Sequence, residues 1–88
     1  MQLSREQVLA IKQRCREWRL DNRYTMSAVA ALSGVSRQAV NGFEHGSGIT
    51  VRILSGYIAL GMPRTLILDA AGISFEDLFN EVVRDGKT

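Results

Sequence analysis

Residues 26–45 read MSAVAALSGVSRQAVNGFEH. Two apolar patterns of helical period meet in this stretch at Gly34-Val35-Ser36. Thr25 and Ser36 each stand just before such a pattern, where a side-chain oxygen can cap free N–H groups. Gly34 falls where the chain must reverse, and glycine takes the left-handed conformation there at little cost. Ala30 has no bulk beyond Cβ, so a second helix can cross closely. Val40 and Phe43, three apart, turn inward and leave Arg37, Gln38 and Asn41 pointing outward. The spacing predicts one helix over about 25–33, with Val29, Ala30 and Leu32 as its buried side, and another over about 37–44, set at a steep angle. A helix braced from behind in this way can enter the major groove of DNA.

The flanking sequence extends a helical pattern. Ser4 with Gln7 forms a capping box, and Val8, Ile11, Cys15 and Trp18 make one apolar stripe that ends near Asp21 and Asn22. Thr50 is placed to cap a fourth helix whose apolar face is Val51, Ile53, Leu54, Tyr57 and Ile58. Gly56 inside that helix costs about 1 kcal/mol against alanine, so either something packs closely there or the helix is weak. Gly61 stops it, and Pro63 suits the first position of a short fifth helix over about 64–71. Ser74 and Asp77 repeat the capping pattern before an amphipathic stripe of Phe75, Leu78, Phe79, Val82 and Val83, which predicts a last helix over about 74–84. No segment alternates with period two, so no sheet is expected.

Eighty-eight residues make one domain, 1–88. A chain of this size buries roughly 60–65% of its unfolded surface, which suits a small helical core. No apolar run is long enough to span a membrane, and the N-terminus lacks a signal peptide's apolar stretch. Cys15 is the single cysteine, so no internal disulfide forms and a reducing cytoplasm is the expected compartment. Charge is unevenly distributed: residues 1–24 carry a net +3, residues 25–64 a net +2 and residues 65–88 a net −3. The first two-thirds can face a polyanion and the tail cannot; the plainer reading is a solvated surface with chance asymmetry.

No catalytic constellation stands out. His45, the one histidine, reads as a helix-end cation or a phosphate neighbour rather than a base. No cluster has metal-ligand spacing, no glycine-rich loop fits a phosphate, and Cys15 reads as plain core. Neither an enzyme nor a cofactor nor a metal is expected.

Over residues 15–46 the chain resembles the Cro-like phage-repressor helix-turn-helix family of the XRE type. The residues that carry the resemblance are Trp18-Arg19, Thr25, Val29-Ala30, Gly34-Val35-Ser36, Val40, Phe43-Glu44 and Gly46. It implies an all-α, lambda-repressor-like domain of five to six helices, with its helix-turn-helix core over about 25–45. It implies a structural pair of Arg19 with Glu44, since a carboxylate near a helix C-terminus opposes the helix dipole and needs a cation. It further implies base reading by Arg37, Gln38 and Asn41, and phosphate contacts at Thr25, Ser27 and Ser36. Lys12, Arg16, Arg23, Arg52, His45 and Ser47 are further phosphate candidates. Two departures stand out. Met26 occupies a position that is often a phosphate-binding glutamine, and Gly42 one that often carries another base reader. Glycine there reads nothing but lets DNA come close. Ser33 replaces a usual apolar residue and thins the core. Beyond Gly46 two alignments are open, one ending the family's fourth helix at Leu60-Gly61, the other at Ala71-Gly72-Ile73-Ser74.

The function implied is a sequence-specific double-stranded DNA-binding regulator, a repressor that occupies a two-fold operator as a homodimer. Phe75, Leu78, Phe79, Val82 and Val83 are the candidate dimer contact, with intramolecular core packing as an equal alternative. The rival class is a protein-interaction module on the same scaffold, such as an antitoxin, an antirepressor or a polymerase-binding protein.

Overall fold

The computed structural model describes residues 4–46 and 49–72, with Ala70 and Ala71 as main chain only. Five helices follow one another: α1 (Arg5–Asp21), α2 (Met26–Ser33), α3 (Arg37–His45), α4 (Val51–Leu60) and α5 (Thr65–Ala71). No strand occurs among the described residues. The expected Ser47 contact and the whole segment 74–84, with Phe75, Leu78, Phe79, Val82 and Val83, lie outside the described residues.

Cap chemistry sets most helix ends. The Gln7 N–H donates to Ser4 Oγ at 3.0 Å and the Ser4 N–H donates to Gln7 Oε1 at 2.8 Å, a closed capping box. Thr25 Oγ1 accepts from the Ala28 N–H, and Ser36 Oγ accepts from the Ala39 N–H, each at 3.1 Å. Gly34 ends α2 at φ +70°, and its N–H and that of Val35 both donate to the Ala30 carbonyl.

Two ends differ from the sequence reading. Thr50 is the N-cap of α4, but its side chain makes no cap bond, and Oγ1 is buried without a partner among the described residues. Pro63 lies two residues before the first residue of α5: Arg64 is the N-cap, and the Pro63 carbonyl accepts from the Leu66 N–H in the turn that leads in.

One core joins all five helices. Ile11 and Cys15 of α1 meet Val29 and Ala30 of α2, Val40 and Phe43 of α3, Ile53, Leu54 and Tyr57 of α4, Met62, and Ile67 of α5. α2 lies against α3 and α4, while α1 lies against α3 and α5. α2 and α4 cross closely. A Cβ built on Gly56 would overlap Ser33 Oγ and come within 2.9 Å of the Val29 carbonyl oxygen. Of the two readings left open for Gly56, close packing is the one found, and Ser33 is its counterpart. The small Ser33 does not merely thin the core; it lets α4 settle against the α2 main chain.

That crossing also corrects Leu32. It was expected on the buried side of α2 but is 53% exposed. α4 presses on the line through Val29 and Ser33, with Ala30 beside it, and Leu32 lies off that line. Met26, Ala28 and Val35 are half-buried, and Met26 and Val35 pack against the core.

Candidate nucleic-acid interface

The site is built around α3, which has two faces of opposite character. Val40, Phe43 and Glu44 are buried, whereas Arg37, Gln38, Asn41, Gly42 and His45 are exposed. Helical spacing dictates the split: 40, 43 and 44 fall on one side, and 38, 41, 42 and 45 on the other. Arg37, Gln38 and Asn41 have no hydrogen-bond partner among the described residues, so their donors and acceptors are turned to solvent.

The buried face is held by polar bonds as well as by packing. Arg19 reaches from α1 and grips Glu44 with two nitrogens: Nε donates to Oε2 at 2.7 Å and Nη2 to Oε1 at 2.9 Å. The side chains are 7% and 0% exposed, so this pair is buried. The third arm of the guanidinium, Nη1, donates to the Tyr24 carbonyl at 3.0 Å and ties in the α1–α2 turn. Tyr57 of α4 donates its hydroxyl to Glu44 Oε2. Burial pushes the Glu44 carboxyl up, but the hydrogen bonds from Arg19 and Tyr57, with the charges of Arg19 and Arg16, outweigh it and hold the group below its usual range. Burial and donation to Glu44 push the Tyr57 hydroxyl up. Arg19 is held further in its charged form by the Glu44 bond.

Lys12 overturns its expected role. It was a candidate for the DNA backbone, but it is 2% exposed. Its ammonium donates to the Phe43 carbonyl and sits 4.5 Å from the centroid of the Phe43 ring. Carbonyls in the last turn of a helix lack intrahelical donors, and a cation is a good substitute. Burial lowers the pKa of Lys12, partly offset by Cys15. Cys15 itself is fully buried, and its thiol is pushed up to about 12 by burial and by the charge of Glu44. It is core, as expected.

The remaining expected contacts divide by position. Thr25 and Ser36 sit at the N-termini of α2 and α3, where each accepts from its own helix and retains a hydroxyl proton to donate. Ser27 lies exposed in the first turn of α2. Arg16 on α1, Arg52 in the first turn of α4, and His45 at the end of α3 are exposed. Arg23 is exposed too, and it is the one non-glycine residue with positive φ among the described residues, at +60°. The left-handed region costs a side-chain-bearing residue about 1–2 kcal/mol relative to glycine.

Two residues that position α3, Tyr57 and Lys12, were not expected in that role. The signal for Tyr57 was present, because a tyrosine on an apolar stripe needs a partner for its hydroxyl. No such signal marked Lys12, since a lysine beside a stripe ordinarily points its charge to water.

Two short helices, α2 and α3, joined through the Gly34-Val35-Ser36 turn with Gly34 left-handed, and polar side chains exposed on the second, make the arrangement of a helix-turn-helix domain. The profile of the helix-turn-helix family matches residues 16–63, more than half of the chain, and the chain belongs to that family, of the XRE type. It is therefore a DNA-binding regulator. No curated protein and no solved structure matches the chain. Among the described residues, no helix is long and apolar enough to cross a membrane.

Proposed function

We propose that the chain is a sequence-specific regulator that represses by occupying a two-fold operator as a homodimer in the cytoplasm. The carrying observation is the contrast across α3. Its inner face is fixed by Arg19, Tyr57 and Lys12, and its outer face offers Arg37, Gln38 and Asn41 without internal partners. Rigid placement of a few polar side chains is what base reading requires, because glutamine pairs with adenine and arginine with guanine through two bonds each. Thr25, Ser27, Ser36, Arg16, Arg23 and His45 supply the phosphate contacts that fix register, with Ser47 as a further contributor. One short helix covers only a few base pairs, so useful specificity calls for two copies on half-sites about 34 Å apart. The apolar stripe of Phe75, Leu78, Phe79, Val82 and Val83 supplies the contact between copies.

Selection of bound sites from random duplexes tests this directly. A two-fold consensus is expected, with affinity falling steeply as salt rises. Gln38→Ala should then cost about 1–3 kcal/mol on the selected site and relax preference at one base pair. Equal loss on every sequence removes Gln38 as a reader. The two departures from the family pattern, Met26 and Gly42, are what favour the rival reading, a protein-interaction module. Met26 packs against the core, which accounts for it without a protein partner. Salt-insensitive binding to an apolar protein surface, with no duplex selected, would establish the rival instead.

A further inference from the structure

Gly42 lies in the middle of α3, on its exposed face, one helical turn beyond Gln38. Glycine is the least favourable residue for a helix interior after proline. Two internal reasons could justify it, and the structure supplies neither. Its φ is not in the left-handed region that favours glycine, and a Cβ built there meets nothing within 4 Å. Gly56 shows what an internal reason looks like, because a Cβ there would overlap Ser33 Oγ and crowd the Val29 carbonyl. Gly42 thus weakens the helix without serving the protein's own packing, at a position flanked on the same face by Gln38, Asn41 and His45.

We infer that Gly42 is where the α3 main chain comes directly against the edge of a base pair, and that its missing Cβ sets how deep Gln38 and Asn41 reach. This rests on the DNA-binding reading above and deepens it: specificity at one base pair comes from absent bulk rather than from a side chain. A methyl group at Gly42 would stand between the helix and the groove floor. It would lift the neighbouring side chains away from their partners, and misplacement of that order is costly to short polar contacts.

The test is Gly42→Ala, measured for stability and for binding to the duplex selected with the unaltered chain. The variant should be more stable, with a midpoint higher by about 3–8 °C, since the helix gains propensity and nothing clashes. Its affinity for the selected duplex should fall at least tenfold, with little change on random duplex. Repeating the selection with the variant should change the preference at one base pair. Unchanged or tighter binding to the selected duplex overturns the inference. So does an equal loss on all duplexes, which would place the contact on phosphate, and so does a lowered midpoint, which would show that glycine serves the fold. If the unaltered chain selects no duplex, the DNA reading fails first, and the stability gain of the variant still separates that failure from a role in folding.

Discussion

The two sides of α3 obey opposite rules. On the inner side Glu44 receives Arg19 and Tyr57, and the Phe43 carbonyl receives Lys12. On the outer side Arg37, Gln38 and Asn41 are left to solvent, and Gly42 forgoes helix propensity. The inner side is consistent at every level, from packing to hydrogen bonding, which is what a structural surface should be. The outer side departs from local stability at a position with no internal compensation. Function is therefore to be sought at residues whose cost the fold does not offset.

Breaking the inner side should have the largest effect. Arg19→Met leaves Glu44 buried with its main cation gone and should cost about 3–5 kcal/mol, as urea unfolding would measure. A loss below about 1 kcal/mol, the range of an exposed pair, would show that Glu44 is far wetter than its burial implies. Gly56→Ala comes next, at about 1–3 kcal/mol, because overpacking at the α2–α4 crossing outweighs the gain in propensity. A more stable Gly56→Ala would mean the two helices do not approach so closely, and the contrast with Gly42 would collapse.

Acid acts on the inner side, through Glu44. The folded pKa of Glu44 is depressed, so its contribution is complete above its unfolded value, about 4.3, and is lost as pH falls below that through the folded value. The stability gap between the unaltered chain and Glu44→Gln should therefore narrow as pH drops from neutrality to 3, read as urea midpoints. A constant gap would show that the carboxylate is not what holds α3. The smallest effect is expected at the α1–α2 turn. Arg23→Gly relieves the positive φ and should gain no more than about 1 kcal/mol, offset in part by glycine's entropy. If Arg23 meets a phosphate, the same variant lowers the salt slope of DNA binding by about 0.9. An unchanged slope removes it from the contact surface.

Much of the fold was legible because it is written in short-range chemistry. Ser4, Thr25, Gly34 and Ser36 announce their caps within three or four residues, and the stripes of α1 and α3 give their buried faces. Arg19 with Glu44 was legible only through the family resemblance, since the pair spans 25 positions of sequence. What escaped depends on how helices cross. Leu32 looks buried by period alone, yet the α2–α4 approach selects Ser33 instead. Thr50 has the right residue type for a cap but turns its hydroxyl into the interior. Lys12 reads as a surface cation until the end of α3 is placed beside it. Of the outward residues, period fixes which side of α3 they occupy.

Trp18 is the chain's single tryptophan, and its ring stacks on Tyr24 with centroids 5.6 Å apart. The carbonyl of that same tyrosine is held by Arg19, whose other nitrogens hold Glu44. The molecule thus carries an optical gauge wired to its own brace. A change in indole emission on unfolding, on acidification or on adding duplex would report the state of the α1–α2 corner without any attached dye.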